Sequence, residues 1–162
     1  MKIIGIDNGL DGGIVILGDS GLVVEKHITP VIGVSGKGKR AYDVPGMTRI
    51  LRPYTENTKV FIERAQAMPG QGVSSMFSIG YGYGLWTGIL TALAIPFEVV
   101  GPRTWQGQMF AGINKTDTKR ASAVVASRLS PQTDWRANEK CRVPHDGLTD
   151  SYCIAEYGRI NS

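Results

Sequence analysis

The fold of this chain follows from the stretch Lys2–Leu17, KIIGIDNGLDGGIVIL. Two apolar runs, Lys2–Asp7 and Gly13–Leu17, have the composition of β-strands, and the turn-forming segment Asn8–Gly12 separates them. Because so short a connection can join only antiparallel neighbours, the stretch predicts a β-hairpin. Its first strand ends on the carboxylate of Asp7, a charged group at the end of a run that is otherwise apolar beyond its first residue.

Further apolar runs extend this hairpin into a mixed α/β pattern. A third strand, Leu22–His27, follows another short loop and continues the antiparallel meander. Two later strands, Thr58–Glu63 and Phe97–Val100, alternate with helices, as parallel strands joined by crossovers do. The helices are expected over Gly46–Pro53, Val73–Ala94, from Pro102 onward, Thr118–Leu129 and about His145–Tyr157. These patterns predict a single α/β domain, residues 1–162, with a five-stranded mixed sheet flanked by helices.

Composition limits the partners of the protein. A net charge of +4 and a pI near 9.2 favour nucleic acid or another anionic partner without requiring one. The two cysteines, Cys141 and Cys153, lack metal-site spacing and are interpreted as reduced thiols. The first residues lack the features of a signal peptide, and polar residues interrupt the apolar segments. We therefore expect a cytoplasmic protein without a membrane span.

Four carboxylates stand at positions where structure alone does not require a charge. Asp7 and Glu63 each end an apolar strand, while Asp146 and Asp150 lie four residues apart, on one face of the last helix. Taken singly, a strand-end aspartate is often a turn residue, and an acid early in a helix favours the positive helix terminus. Gathering several carboxylates is unfavourable unless a cation neutralises them, and oxygen ligands favour Mg²⁺ or Mn²⁺. Two such ions suit in-line phosphoryl transfer.

This ordered set of acids resembles that of the RuvC-type Holliday junction resolvases, which belong to the ribonuclease-H-like superfamily. GIDNG at Gly5–Gly9 is similar to the first motif of the family, FIE at Phe61–Glu63 to the second, and HDGLTDSYCIAEYG at His145–Gly158 to the last. YDVP at Tyr42–Pro45, GPRTW at Gly101–Trp105 and the GYGYGLWTGIL run between them are most similar to phage RuvC-like enzymes and chloroplast Holliday junction resolvases. The resemblance covers most of the chain.

The resemblance implies a crossover junction endodeoxyribonuclease that resolves four-way junctions by paired symmetric nicks, without a small-molecule cofactor. The residues that would hold two Mg²⁺ ions, for which Mn²⁺ can substitute, are Asp7, Glu63, Asp146 and Asp150. Lys119 would act beside them. The chain departs from the commonest bacterial pattern at Asn8, where many members carry proline, and in the longer spacing of the last two acids. His145 could therefore replace or support Asp146.

Basic and polar residues are expected to hold the DNA, through contacts that carry little sequence information. They lie on a predicted glycine-rich basic loop, Ser35–Arg40 (SGKGKR), after the second motif, at the start of the Thr118–Leu129 helix and before the last helix. The candidates are Lys37, Lys39, Arg40, Arg64, Gln66, Met68, Gln71, Lys115, Lys119, Arg120, Arg136, Lys140 and Arg142. Met68 or Phe77 could wedge between bases at the junction centre. Each candidate could instead be a solvated charge or a buried side chain.

The long helix from Val73 carries glycines at regular spacing. Gly80, Gly84 and Gly88 recur every four residues, although each interior glycine costs roughly 1 kcal/mol relative to alanine. The stripe therefore indicates close approach of another backbone. The resemblance implies a homodimer with this helix at the contact, through Gly80, Tyr81, Gly84, Leu85 and Gly88, with Tyr83 and Trp86 as further anchors. Alternatively, the stripe packs on the sheet of the same subunit and the aromatic residues fill its core.

Other functions compete with junction resolution. A broader nuclease of branched DNA, cutting forks and flaps, would use the same fold and acids. An actin-like phosphotransferase is suggested by GIDNGLDGG, which looks like a phosphate-binding hairpin, but 162 residues cannot supply the two lobes that such enzymes need. A protein that binds junctions without cutting them would share the basic charge, and adding Mg²⁺ to its junction complex would give no cleavage.

Overall fold

The computed structural model describes residues 1–34, 38–66, 70, 72–113 and 118–162, with the side chains of residues 118–120 excepted. The strands in these ranges are β1 (Lys2–Asp7), β2 (Gly13–Leu17), β3 (Val23–Ile28), β4 (Val31–Gly33), β5 (Arg40–Tyr42), β6 (Thr58–Glu63) and β7 (Phe97–Val100). The helices are α1 (Val44–Leu51), α2 (Val73–Ala92), α3 (Pro102–Met109), α4 (Thr118–Leu129) and α5 (Asp146–Ile160), with a 3₁₀ turn at Arg52–Tyr54.

One mixed sheet organises the molecule. Its five strands lie in the order β3-β2-β1-β6-β7. β1 pairs antiparallel with β2 and parallel with β6, and β6 pairs parallel with β7. The predicted five-stranded mixed sheet, with three antiparallel strands followed by parallel strands and with flanking helices, is confirmed.

Helices cover both faces of the sheet, and each face has its own apolar core. Side chains alternate along β6, so Phe61 enters the core beneath α3, α4 and α5, whereas Ile62 enters the core beneath α1 and α2. Trp105 and Tyr152 are among the largest buried side chains on the first face, and Trp86 is buried on the second. Because the parallel strands are covered on both faces, charged groups at their ends require a separate explanation.

Several strand and helix bounds differ from the sequence predictions. The segment predicted as a loop is flanked by β4 and β5, which pair as a separate two-stranded sheet. The third strand lies one residue later than predicted, at Val23–Ile28. α1 begins at Val44 because the Asp43 carboxylate accepts a hydrogen bond from Gly46 N–H at 3.0 Å and caps the helix.

Two helix ends were also mispredicted. α2 ends at Ala92, before Ala94 adopts the left-handed conformation with φ 53°. α5 begins at Asp146 and runs to Ile160, beyond the predicted end at Tyr157. Gly158 lies inside this helix and does not end it. It is buried against the ring of Phe61, where a larger side chain would collide.

The glycine stripe of α2 faces away from the sheet. Its members are Gly80, Gly84 and Gly88, which are exposed; among the described residues, and apart from the backbone of α2 itself, no atom would lie within 4 Å of an added Cβ. The α2 glycine in close contact is instead Gly82, whose Cβ would overlap the Tyr42 hydroxyl and crowd the Asn8 carbonyl. The alternative that the stripe packs on its own sheet is therefore wrong.

The large side chains of α2 divide between core and surface. Trp86 is fully buried in its own core, so its predicted role as an interface anchor is wrong. Tyr83 and Leu85 are partly buried against that core. Phe77 and Tyr81 are 74% and 52% exposed. Although α2 is long and apolar, neither it nor another helix in the described ranges could span a membrane.

Candidate active site and nucleic-acid interface

Asp7 and Glu63 end neighbouring parallel strands at the same edge of the sheet. The strand register pairs Ile6 with Ile62, so the following residues, the two acids, stand side by side. Asn8 Nδ2 donates a 2.6 Å hydrogen bond to the backbone oxygen of Glu63 and ties the two strand ends together. The structure thus brings together Asp7 and Glu63, the first two acids predicted from the sequence. Asn8, which stands where many bacterial resolvases carry proline, links the backbones of the two strand ends.

α5 is held against the same edge of the sheet. Gly147, in its first turn, packs on the loop between β1 and β2, where an added Cβ would overlap the carbonyl oxygen of Asp11. One turn later, Ser151 Oγ accepts a 3.2 Å hydrogen bond from Asp7 N–H. These contacts leave no room for a larger residue at Gly147, and they hold the first turn of α5, the helix that carries Asp146 and Asp150, against the loop after Asp7.

The four predicted acids share one electrostatic environment. Burial raises the pKa of Asp7 to about 7, and the charges of Glu63, Asp11 and Asp146 act in the same direction. Burial also raises the pKa of Glu63 to about 7, and the charge of Asp150 contributes to that rise. Asp146 therefore lies within electrostatic range of Asp7, and Asp150 within range of Glu63. Asp146 is exposed, whereas Asp150 is partly buried.

His145 immediately precedes these helical acids. Its ring lies close enough to Asp11 for its charge to help lower the pKa of that carboxyl, after the larger effect of the Arg40 hydrogen bond. Its Nδ1 is buried and has no hydrogen-bond partner among the described residues. His145 therefore lies near Asp11, in the loop that follows Asp7, and its supporting role stays a prediction.

Two uncharged donors that sequence reasoning missed contact the acids. Trp105 on α3 donates its indole N–H to Glu63 Oε1 at 2.9 Å. The Ser122 hydroxyl on α4 donates to Asp150 Oδ1. The partners are 42 and 28 residues apart in the chain, so no local pattern reveals either pair. The only signal was the GPRTW block, which was noted for its resemblance and not for a role of its tryptophan.

The donor set fits a hard divalent cation. Carboxylate oxygens are the preferred ligands of Mg²⁺ and Mn²⁺, and burial, together with the neighbouring acids, raises the pKa values of Asp7 and Glu63, so a cation would favour their ionised forms. As placed, no three His, Cys, Asp or Glu side chains within the described ranges lie close enough to enclose one ion. The ligand chemistry of the acids therefore suits Mg²⁺, whereas their present spacing does not enclose an ion.

Arg40 joins a predicted DNA-contact segment to this site. Its guanidinium donates two hydrogen bonds, of 2.8 and 3.0 Å, to the carboxylate of Asp11. Asp11 lies in the loop after Asp7, and both members of the pair are largely exposed. The pair therefore joins Arg40, the first residue of β5, to the loop that follows Asp7.

The other predicted DNA contacts are placed as follows. Arg136 is engaged within its own loop, where it donates to Asp134 at 2.8–3.2 Å and to the carbonyl of Cys141, so its charge is already paired. The exposed candidates are Lys39, Arg64, Gln66, Lys140 and Arg142. Lys37, Met68, Gln71 and Lys115 lie outside the described residues. Lys119 and Arg120 belong to the first turn of α4, and their side chains lie outside the described part.

A row of aromatic rings leads from the surface of α2 towards the site. Phe77 and Tyr81 stack with ring centroids 6.2 Å apart and an interplanar angle of 4°. Tyr81 also meets Tyr42 edge-on at 6.0 Å. The Tyr42 hydroxyl donates to the backbone oxygen of Asn8, next to Asp7. This aromatic row (Phe77, Tyr81 and Tyr42) therefore connects an exposed apolar surface with the strand end that carries the first acid.

Comparison with known proteins identifies the fold. No family model and no curated protein match the sequence. The solved structure of Thermus thermophilus RuvC is similar, with 18% identity, a TM-score of 0.59 and coverage of 99% of this chain and 97% of that one. T. thermophilus RuvC in complex with a Holliday junction substrate has 16% identity and a TM-score of 0.65, over 99% of this chain and 96% of that one.

A third similar structure comes from a eukaryote. The yeast mitochondrial Holliday junction resolvase Ydc2 has 14% identity and a TM-score of 0.58, over 96% of this chain and 76% of that chain. At these identities the similarity establishes the fold. The predicted ribonuclease-H-like fold, as found in RuvC, is confirmed.

Proposed function

We propose that this protein is a structure-selective DNA endonuclease that resolves four-way junctions by paired symmetric nicks. The observation that carries the proposal is that Asp7 and Glu63 end adjacent strands within electrostatic range of the two acids of α5. The fold is shared with RuvC in complex with a Holliday junction substrate, which supports branched DNA as the partner. Its place of action would be the cytoplasm of a bacterial cell or of a phage-infected host.

The acids are proposed to bind the metal ions and thereby to position the phosphodiester and the attacking water. The proposed ligands of two Mg²⁺ ions, replaceable by Mn²⁺, are Asp7, Glu63, Asp146 and Asp150. When bound, the metal supplies charge neutralisation and activation of water for in-line hydrolysis of the phosphodiester. The rigid strand ends hold Asp7 and Glu63 in register, and α5 sets the distance of the other pair from them. Matched nicks would leave 5′-phosphate and 3′-hydroxyl ends that a ligase can seal.

Phosphate can approach this acidic site only if basic groups lie around it. Lys119, in the first turn of α4, is proposed to stabilise negative charge beside the acids, and the amide groups of that helix terminus favour phosphate as well. Arg40 reaches the loop after Asp7 through its contact with Asp11. Exposed Arg64 and Gln66 directly follow Glu63 and extend the proposed contact surface towards the junction centre.

The exposed end of the aromatic row is suited to unpaired bases. Phe77 is 74% exposed and stacks on Tyr81, so a base could stack on its free face. This supports Phe77 as a wedge at the junction centre. Met68, the other candidate wedge, lies outside the described residues.

A homodimer is proposed through the open face of α2. Two symmetric strands require two active sites, and each subunit supplies one. The exposed positions that would approach the partner include Gly80, Gly84 and Gly88, together with Tyr81 and partly buried Leu85. Within the described part of the chain, no atom beyond the backbone of α2 lies within 4 Å of a Cβ added at these glycines, which leaves room for a second backbone.

The proposed function is tested by comparing DNA substrates that differ in the number and arrangement of their duplex arms. Cleavage of a mobile four-way junction, a fork, a flap and linear duplex is measured with equal DNA and Mg²⁺. The proposal predicts preferential cutting of the four-way junction at symmetric positions. Equal cutting of forks and flaps would replace it with the broader branched-DNA nuclease, and binding without cutting would replace it with a junction-binding protein.

A further inference from the structure

We infer that Trp105 is a positioning residue for the metal-dependent reaction, and that its indole N–H fixes the carboxylate of Glu63 for the cation. The inference rests on the proposed function, because it assigns Glu63 to the metal. Trp105 itself contacts neither metal nor DNA in this assignment. It acts through the hydrogen bond from Nε1 to Glu63 Oε1, at 2.9 Å.

This hydrogen bond distinguishes Trp105 from the other tryptophans. All three tryptophans of the chain are buried. Within the described residues, the indole N–H groups of Trp86 and Trp135 have no hydrogen-bond partner, whereas that of Trp105 has the Glu63 carboxylate. A buried indole N–H usually has an acceptor, but here the acceptor is a predicted catalytic group.

The tryptophan is itself held rigidly. Trp105 is 1% exposed, and its ring meets Phe110 edge-on with centroids 5.4 Å apart. It belongs to the apolar core beneath α3, α4 and α5. A donor anchored in a close-packed core has few alternative orientations, so it restricts the carboxylate to which it binds.

The chemistry of the donor also suits a metal ligand. The indole N–H carries no charge, so it orients Glu63 without supplying the cation that would neutralise the carboxylate. An arginine or lysine in the same place would compete with the metal for that charge. The bond occupies Oε1, and among the described residues Oε2 accepts no hydrogen bond. One oxygen is therefore fixed while the other is left for the cation.

The test compares Trp105→Phe with Trp135→Phe. Both changes shrink a buried ring by the same amount, but only the first deletes a hydrogen bond. Mn²⁺ binding to the DNA-free protein is followed by electron paramagnetic resonance of the free ion. The Mg²⁺ concentration for half-maximal junction cleavage is measured in parallel. Loss of the group that orients a ligand typically lowers metal affinity or activity by about 10- to 100-fold, so Trp105→Phe should weaken Mn²⁺ binding by about 10-fold or more.

The controls separate orientation from simple loss of packing. Trp135→Phe should lower the melting temperature while leaving Mn²⁺ affinity unchanged. In a Glu63→Gln background, Trp105→Phe should have no further effect on Mn²⁺ binding. If Trp105→Phe fails to fold, benzothienylalanine at position 105 keeps the ring shape and replaces N–H with sulfur.

The outcomes also separate this inference from the proposed function. Equal Mn²⁺ affinities for the two tryptophan variants, or an unchanged effect of Trp105→Phe in the Glu63→Gln background, would overturn the positioning role. If the wild type cuts no branched DNA but Trp105→Phe still weakens Mn²⁺ binding selectively, the positioning role holds and the nuclease function fails.

Discussion

Asp7 and Glu63 stand one residue beyond the paired Ile6 and Ile62, at the ends of adjacent parallel strands. Each acid is less readily ionised in the folded protein than in the unfolded chain. Burial is the first cause for both, and each pKa rises to about 7. If the proposed cation neutralises these acids, removing it should destabilise the protein at a pH where both are ionised.

The metal-free protein should lose stability as the pH rises from about 4 to 7. In this window the unfolded chain has released the protons of Asp7 and Glu63, whose ordinary pKa values are 3.8 and 4.5, while the folded protein still holds them. Folding therefore takes up protons, and the free energy of unfolding falls with pH. For each acid, every pH unit between its unfolded and folded pKa values lowers the free energy of unfolding by about 1.4 kcal/mol. Differential scanning calorimetry in chelator should show a melting temperature lower by about 10 °C or more at pH 8 than at pH 5.

Two variations check the origin of this pH effect. Mg²⁺ should raise the melting temperature at pH 8 more than at pH 5, because it binds the ionised acids. Asp7→Asn should flatten the decline in chelator, since the substituted side chain cannot ionise. A wild-type melting temperature that rises from pH 5 to pH 8 in chelator would contradict the predicted sign.

Asp11→Asn should strengthen junction binding. The substitution removes a negative charge beside the site and breaks the charged pair, leaving Arg40 available to a phosphate. Affinity measured in chelator should rise, and the slope of log affinity against log salt should steepen by about one. Arg40→Ala should have the opposite effect. If Asp11→Asn weakens binding, the pair acts instead by holding the β4–β5 hairpin in place.

Alanine at Gly82 and at Gly84 should change stability in opposite directions. At Gly84 the new methyl group meets no atom within 4 Å and improves helix propensity, so the monomer should gain up to about 1 kcal/mol. At Gly82 it would overlap Tyr42, which should cost about 1–3 kcal/mol. Urea unfolding at a concentration where the wild type is monomeric measures both. A destabilised Gly84→Ala monomer would contradict the open placement of the stripe.

Gly84→Arg should disrupt the proposed dimer without unfolding its subunits. A long charged side chain on the open face of α2 would separate two backbones that approach there. Sedimentation velocity should show a dimer for the wild type and a monomer for the variant, with similar circular dichroism. A substitution on another exposed surface, Glu98→Arg, is the matched control. A variant that remains dimeric would place the interface elsewhere.

The sheet and its acids could be predicted because their signals are local. The runs that form β1 and β6 are continuous and apolar, so a carboxylate at the end of each is visible without the fold. Pairs such as Trp105 with Glu63 could not be predicted, because they arise only when α3 packs on the sheet. The β4–β5 hairpin was missed because glycine and basic residues around it hide the strand pattern.

Helical periodicity identified a glycine face but not its orientation. Spacing alone groups Gly80, Gly84 and Gly88, yet it is the neighbouring Gly82 that approaches Tyr42. Which face of a helix turns inward depends on the contacts of its other residues, and in α2 the buried face consists of Gly82, Trp86, Ile89 and Leu90. The four-residue spacing therefore predicted a glycine-lined face on α2. The contact between Gly82 and Tyr42 could be seen only in the folded structure.

The most direct test is cleavage of a four-way junction with Mg²⁺ by the wild type, Glu63→Gln and Glu98→Gln. Glu98 lies on β7, paired with Lys59, so its substitution makes the same chemical change away from the proposed site. The wild type and Glu98→Gln should produce symmetric paired nicks. Glu63→Gln should bind the junction in chelator but cut at least about 10³-fold more slowly. Cleavage by Glu63→Gln at the wild-type rate would contradict the assignment of the carboxylate site.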